Sequence, residues 1–187
     1  MPPKVKITKN DIINASIGIL RKGSEDLNAR SIASALNCST QPIFSNFETM
    51  ESLWNAVISE AYNIYMGFIE NEVKDEKYPK YKSYGMGYIR FAKEEKQLFK
   101  LLFMRNRSGE ELTYSKDFEE SVEMIMKSNG FSKEKAELVH LEMWTCVHGI
   151  GTMLATSFVD LDWKTISKVI SDVYLGVIER AKDNGSN

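Results

Sequence analysis

Apolar side chains recur at intervals of three and four residues along most of this chain, and no stretch alternates between apolar and polar positions as a half-buried strand does. This spacing predicts an all-α fold of about nine helices. Three short helices are expected in the first 48 residues. The six that follow are expected at about Thr49–Glu76, Tyr81–Lys93, Lys96–Met104, Leu112–Asn129, Ser132–Val159 and Asp162–Lys182.

Residues that favour helix ends mark most of these boundaries. The residues in predicted N-cap positions are Thr8, Asn28, Thr49, Ser132 and Asp162. Asp11 stands three residues after Thr8, which completes a variant of the capping box. Gly23 and Gly130 follow helical patterns at the place where a helix commonly ends in a left-handed residue.

Residues 1–48, called the head below, have the spacing of a helix-turn-helix. The apolar positions of its three helices are Ile12, Ala15, Ile19, Ile32, Ala33, Leu36, Ile43, Phe44 and Phe47. The positions that then point outward from the third helix are Thr40, Gln41, Ser45 and Asn46. Short polar side chains suit base edges and phosphate oxygens in a DNA major groove. Alternatively, the three helices are only a small packing unit whose polar residues act as caps.

Pro42 lies within the first turn of the third helix, where a backbone N–H has no intrahelical partner to lose. With Ser39 as the N-cap, Pro42 occupies the third helical position. With Gln41 as the N-cap, Pro42 occupies the first position, where proline is favoured. Both starts remain open on the sequence. Asn28 and Ser39 would each direct a helix N-terminus toward phosphate.

The segments IINASIGILRKG, SIASALNCS and PIFSNFETMESL resemble the N-terminal domain of the TetR/AcrR family of transcriptional repressors, over about Lys6 to Val57. The resemblance implies a DNA-binding domain at 1–48 and an effector-binding and dimerisation domain at 49–187. It also implies a homodimer on a palindromic operator with half-site centres about 34–36 Å apart, or a multiple of that distance. The DNA-binding residues expected are Lys6, Asn28, Arg30, Ser39, Thr40, Gln41, Phe44, Ser45 and Asn46.

Three positions depart from that family's pattern. Phe44, Asn46 and Met50 stand where the family usually has Tyr, His and Lys. The Tyr hydroxyl and the Lys ammonium commonly contact phosphate in the family, and each lost phosphate contact lowers non-specific affinity. Lys4, Lys6 and Lys9 could partly compensate. We therefore expect DNA binding that is weaker than in a typical member.

Charge is distributed unevenly along the chain. The net charge is −2, yet six basic and four acidic residues through Glu48 give the head +2 and leave −4 for the rest. Such a mildly basic head is expected where only the head meets phosphate.

No apolar run follows the first lysines, so we expect no secretory signal. Cys38 and Cys146 show no paired spacing, which favours a reduced, cytoplasmic protein.

Residues 49–187, called the body below, carry two aromatic and methionine-rich patches. Stripes of this kind are usually core, but flexible Met side chains also line adaptable ligand pockets. The run EMWTCVHGIG resembles the Trp…His-Gly (WHG) signature of one class of TetR-type C-terminal domain, which implies an effector site. Trp144 and His148 share a helical face, and His148 could instead be a satisfied core histidine. The candidate ligand residues are Tyr65, Tyr88, Phe99, Phe103, Met104, Met143, Trp144, Val147 and His148.

The family's architecture implies a dimer contact on the last two helices. The candidate dimer residues are Gly151, Ala155, Ile166, Val169, Ile170, Val173 and Val177. The same apolar stripe could equally pack within one chain. The fourth helix, at about Thr49–Glu76, is expected to connect the head to the effector site.

Other kinds of site are weakly supported. His140 and His148 are about 12 Å apart by helical rise, too far to share one metal ion. No P-loop, nucleophile elbow, HExxH or dinucleotide fingerprint is present, so we expect no enzyme activity, no cofactor and no metal. The resemblance therefore implies a repressor that a small, largely apolar effector releases from its operator. The alternative is an all-α ligand- or protein-binding module whose DNA binding is weakened or lost.

Overall fold

A computed structural model describes residues 6–23, 27–106 and 116–183. These residues form nine α-helices and no strand, which confirms the predicted fold class. The helices are α1 (Lys9–Arg21), α2 (Ala29–Ala35), α3 (Gln41–Asn46), α4 (Met50–Lys74), α5 (Lys80–Glu94), α6 (Lys96–Phe103), α7 (Lys116–Asn129), α8 (Lys133–Ala155) and α9 (Trp163–Asp183). The predicted start of the seventh helix at Leu112 lies outside the described residues.

The predicted helix caps are confirmed except at α3, which is described below. Thr8 accepts a hydrogen bond from the Asp11 backbone N–H, and the Asp11 carboxylate accepts one from the Thr8 backbone, so both halves of the capping box are formed. The residues whose side-chain oxygens accept a backbone N–H at the start of the other helices are Asn28, Thr49, Ser132 and Asp162. Gly23 and Gly130 have φ of +77° and +69°, as expected after a helix end.

The end of α8 differs from the prediction. The helix stops at Ala155 rather than Val159, because Ser157 adopts a left-handed conformation with φ +57°. The Phe158 N–H then donates to the Met153 carbonyl at 2.9 Å, and the Ser157 N–H donates to that of Leu154 at 3.0 Å. These two bonds are a Schellman motif, which satisfies carbonyls that the helix leaves unpaired.

The first of two compact units contains the described residues through Met66 together with Glu95–Arg105. Within it, α1 packs against α2, α3 and α6. Ile12, Ile32 and Ile43 are fully or almost fully buried between these helices. The Arg21 guanidinium donates to both carboxylate oxygens of Glu95, at 2.9 and 2.6 Å, at the start of α6. The three-helix arrangement predicted for the head is therefore present, with α6 added to it.

The second compact unit contains Gly67–Glu94 and the described residues from Asn106 onward. Helix α8 is central to it, since it packs against α5, α7 and α9. One core cluster consists of Val122, Ile125, Ala136, Val139, Ile178 and Ala181. Helix α4 contributes residues 50–66 to the first unit and 67–74 to the second. The boundary predicted at residue 48 separates a DNA-binding domain from an effector-binding and dimerisation domain. Because it concerns function, it stays a prediction.

Candidate functional site

Helix α3 is short and is held by two apolar side chains. Ile43 is 1% exposed and Phe47 is 7% exposed, so this side of the helix faces the core of the first unit. The Lys9 ammonium lies 5.4 Å from the centre of the Phe47 ring, which adds a contact from α1. The opposite side of α3 is therefore the side that a partner can reach.

Gln41, Phe44 and Ser45 are exposed on that outer side of α3. Their spacing of three and four residues places them on one face of the helix. The exposure of Phe44 fits its place among the predicted DNA-binding residues but not its grouping with Ile43 and Phe47 as an apolar position of the head. In the structure, half of Phe44 (52%) is exposed.

The start of α3 corrects both sequence-based alternatives for Pro42. The N-cap is Thr40, whose backbone is helical (φ −71°, ψ −15°) and whose side chain makes no capping hydrogen bond. Neither Ser39 nor Gln41 is the cap, and Pro42 occupies the second helical position. A proline is tolerated there because the first backbone N–H groups of a helix have no intrahelical partner.

Asn46 and Asn28 have local hydrogen bonds that restrict their predicted roles. The Asn46 amide nitrogen donates to the Pro42 carbonyl at 2.8 Å and to the Ile7 carbonyl at 3.3 Å. These bonds connect α3 to the segment before α1, so Asn46 positions the helix. The Asn28 side-chain oxygen accepts the N–H groups of Arg30 and Ser31, each at 3.0 Å, as the cap of α2.

The turn between α2 and α3 is also fixed by hydrogen bonds. Asn37 has φ +51°, and the Cys38 N–H donates to the Ala33 carbonyl at 2.9 Å. Asn tolerates this left-handed conformation better than most residues. The remaining predicted DNA-binding residues, Lys6, Arg30 and Ser39, are exposed in the same unit.

The predicted ligand residues fall into two groups, one in each compact unit. In the first unit, the Phe103 ring contacts the Tyr65 ring at a centroid distance of 5.3 Å and the Phe99 ring at 5.3 Å. Phe99 is completely buried, whereas Met104, which ends α6, is exposed. Of this group, Phe99 is a core residue and the others reach the surface in part.

The second group is centred on His148. The Tyr88 hydroxyl lies 2.8 Å from His148 Nδ1, and the Thr152 hydroxyl lies 3.5 Å from Nε2. The Trp144 ring stacks on the imidazole, with centroids 5.1 Å apart and planes inclined by 14°. Trp144 is 46% exposed, while Met143 and Val147 are buried. The structure therefore brings together Tyr88, Trp144 and His148, with the indole at the surface.

Burial controls the protonation of this group. It lowers the pKa of His148 and raises the pKa of the Tyr88 phenol, because a charged form loses hydration in this environment. Both groups are consequently uncharged at neutral pH, and one donates while the other accepts. The sequence left two interpretations of His148 open, a ligand-binding residue and a core histidine with satisfied ring nitrogens. This geometry agrees with the second.

A second tyrosine–histidine pair was not predicted as a site. The Tyr81 hydroxyl lies 3.0 Å from His140 Nδ1, and the Phe118 ring contacts the same imidazole at 4.9 Å. Burial lowers the pKa of His140 to about 4. The two pairs repeat, since the tyrosines are seven residues apart on α5 and the histidines eight apart on α8. That repeat is visible in the sequence once α5 and α8 are known to pack together.

The predicted dimer residues are divided by burial. Gly151, Ala155, Ile166 and Ile170 are buried within the chain's own second unit. These four residues therefore have the role that the sequence left open, packing within one chain. Val169 is exposed, and Val173 and Val177 are half-buried. The large apolar side chains exposed on α8 and α9 are Leu138, Leu141, Trp144, Val169 and Leu175.

Comparisons of the chain with protein-family models, with curated proteins and with solved structures found no match. Among the helices of the described residues, none is both long enough and apolar enough to span a membrane. The functional argument therefore depends on the chemistry of the side chains themselves.

Proposed function

We propose that this chain is a cytoplasmic, ligand-responsive, homodimeric repressor of the TetR/AcrR type that binds DNA through α3. The observation that carries this proposal is the exposed outer side of α3, where Gln41 and Ser45 present amide and hydroxyl groups. A glutamine amide matches the donor and acceptor of adenine in the major groove. Ile43 and Phe47 fix the helix backbone from behind, and the Ser45 hydroxyl donates to the Gln41 carbonyl at 2.9 Å, which leaves the hydroxyl oxygen to accept.

The exposed basic residues of the same unit supply the electrostatic part of the proposed interface. Lys6 precedes α1 and Arg30 lies in the first turn of α2. Cations near the reading helix neutralise phosphates and release counterions, which makes binding sensitive to salt. Phosphate contacts of this kind fix the position of α3 without reading sequence.

A small, largely apolar effector is proposed to release the repressor. The residues with the chemistry for such a ligand are the aromatic groups around Phe103 and around Trp144 and His148, which are apolar except for a few polar atoms. Helix α4 belongs to both units and is the proposed transmitter. By linkage, an effector that lowers the affinity for DNA by some factor must itself be bound more weakly to the DNA complex by the same factor.

One observation favours the alternative function, a ligand- or protein-binding module without DNA binding. Phe44 exposes half of an apolar ring on α3, where the resembled family has a phosphate-binding Tyr. A protein partner would bury this ring more readily than a phosphate oxygen would. The two functions differ in their requirement for DNA, which makes them separable.

The test is a mobility-shift experiment with the protein and duplexes from its own upstream DNA, repeated at several salt concentrations. Gln41→Ala is expected to reduce discrimination between operator and mutated operator, at a cost of about 1–3 kcal/mol in specific binding. Lys6→Ala is expected to weaken binding to all duplexes alike and to reduce the salt slope by about one.

The two variants serve as controls for each other, because one changes a base contact and the other a phosphate contact. If no salt-dependent, sequence-specific complex forms without effector, the repressor function is wrong and the alternative module stands. If Gln41→Ala and Lys6→Ala lower the affinity for every duplex equally, α3 does not read the sequence.

A further inference from the structure

The Phe44 ring lies on the exposed surface of α3, between Gln41 and the buried Phe47 around the helix. Gln41 lies one turn before it and Ser45 directly after it, and all three are exposed. The neighbouring apolar residues of the helix, Ile43 and Phe47, are buried. Phe44 therefore lies at the border between the buried and the exposed side of α3, with half of its surface open to a partner.

The backbone under this ring is held by hydrogen bonds at both ends of the helix. The Phe44 N–H donates to the Thr40 carbonyl at 3.4 Å, and Pro42 restricts the preceding turn. Asn46 connects the end of the helix to the Ile7 carbonyl. A large apolar side chain is thus presented on a fixed support, which reduces the entropy that a contact with it would cost.

The chemistry of a phenyl ring limits what it can contact on DNA. It has no donor or acceptor, so it forms no conventional hydrogen bond with phosphate oxygens or base edges. The major groove offers one apolar group, the C5-methyl of thymine. We propose that Phe44 is a specificity-determining residue that contacts a thymine methyl in each half-site; this inference rests on the proposed DNA-binding function.

The test removes the methyl group from the DNA and leaves the protein unchanged. An operator is first selected from a pool of random duplexes with the full-length protein. Each thymine of one half-site, and of its symmetry mate, is then replaced by uracil, which differs only by the missing methyl. We expect one position at which uracil weakens binding about fourfold per half-site, the equivalent of one buried methylene group, and little change elsewhere.

Two variants assign that methyl effect to Phe44. Phe44→Ala is expected to bind the thymine and uracil duplexes equally at the sensitive position, because the ring that contacts the methyl is gone. Gln41→Ala, a matched change on the same face, is expected to keep the thymine preference there. Circular dichroism confirms that each variant is folded, which we expect since Phe44 is half exposed.

The outcomes separate this inference from the function on which it rests. If the selected operator is bound specifically and remains sensitive to Gln41→Ala but indifferent to uracil at every position, the methyl contact is wrong and the repressor function stands. If Phe44→Ala retains the full thymine preference, another residue reads the methyl and the assignment is wrong. If the pool yields no enriched sequence, both proposals fail.

Discussion

The imidazole of His140 shows how burial sets the charge of a single residue. It is hydrogen-bonded to the Tyr81 hydroxyl and packed against Phe118, and its pKa is lowered to about 4. In the unfolded chain the pKa of a histidine is about 6.5. Between these two values the unfolded chain binds a proton that the folded chain does not, so stability increases with pH.

We expect His140→Gln to make stability less dependent on pH in that window. The wild type should lose stability as pH falls from about 6.5 toward about 4, because the unfolded state takes up the proton. The glutamine variant has no imidazole to take up this proton, so it lacks this pH-dependent contribution to stability. Urea unfolding at pH 7, 6 and 5 measures the difference between the two proteins, in which the contributions of shared carboxylates cancel. Equal pH slopes for both proteins would contradict the buried, neutral state of His140.

At this scale the sequence predicted local interactions well and distant partners poorly. The capping box of Thr8 and Asp11 was predictable because both residues lie in one turn. The Tyr81 partner of His140 was not, because it is 59 residues away and depends on the packing of α5 against α8. The sequence left the exposure of Phe44 open, since apolarity alone does not say which side of a six-residue helix is covered.

The contact between α5 and α4 in the second unit depends on a glycine. A Cβ at Gly87 would lie 2.9 Å from the Ile69 Cα and 2.9 Å from the Phe68 carbonyl oxygen. Both are backbone atoms, which cannot move aside as the end of a flexible side chain can. The two helices therefore pack with their backbones in direct contact at this point.

Gly87→Ala is expected to destabilise the protein by about 1–3 kcal/mol, the usual effect of overpacking. The matched control is Gly18→Ala in α1, where an added Cβ meets nothing within 4 Å. That change should stabilise the fold by roughly 0.5–1 kcal/mol through helix propensity. The free energy of unfolding in urea distinguishes the two. A stabilising Gly87→Ala would show that α4 and α5 are not in close contact.

Helix boundaries were predictable where a cap residue marks them. The start of α8 follows from Ser132, but its end at Ala155 was missed because the apolar pattern continues through Phe158 and Val159. A positive φ at a serine carries no clear signal in the sequence. The start of α3 was missed for a related reason, since Thr40 takes a cap position without using its side chain.

At the scale of the whole molecule, the proposed dimer requires a surface that the chain itself does not cover. Leu138 and Leu141 on α8 are about half exposed and lie one turn apart, and Val169 is exposed on α9. Solvent-exposed apolar side chains on adjacent helices are typical of an interface between subunits. The proposed dimer surface is centred on Leu138 and Leu141; the ion pair of Arg180 with Glu142 places the far end of α9, eleven residues from Val169, beside it.

We expect Leu141→Glu to shift the protein from dimer toward a monomer of 21.4 kDa, because a buried, unpaired carboxylate opposes association. Phe158→Glu is the control, since Phe158 is 82% exposed in the turn after α8 and is outside this surface. Sedimentation velocity at several concentrations measures both. A monomeric wild type, or a Leu141→Glu variant that remains fully dimeric, would contradict this dimer surface.

The sequence indicated which helix faces are apolar, but not whether each face packs within its own chain or against a second subunit. Ile166 and Ile170 have the spacing of an interface stripe, and the same spacing serves equally for packing α9 into its own unit. Likewise, the ion pair of Arg21 with Glu95 joins residues 74 positions apart, which periodicity alone cannot indicate.

The stacked pair of Trp144 and His148 gives the protein an internal optical probe. An indole in face-to-face contact with an imidazole changes its emission when the imidazole gains a proton, since a protonated imidazole accepts an electron from the excited indole. Trp144 is also half exposed, so a molecule that covers it changes the colour and the quenching of its fluorescence. Trp54 and Trp163 also emit, so the difference in fluorescence between the wild type and a Trp144→Phe variant follows events at this group, without a label and without DNA.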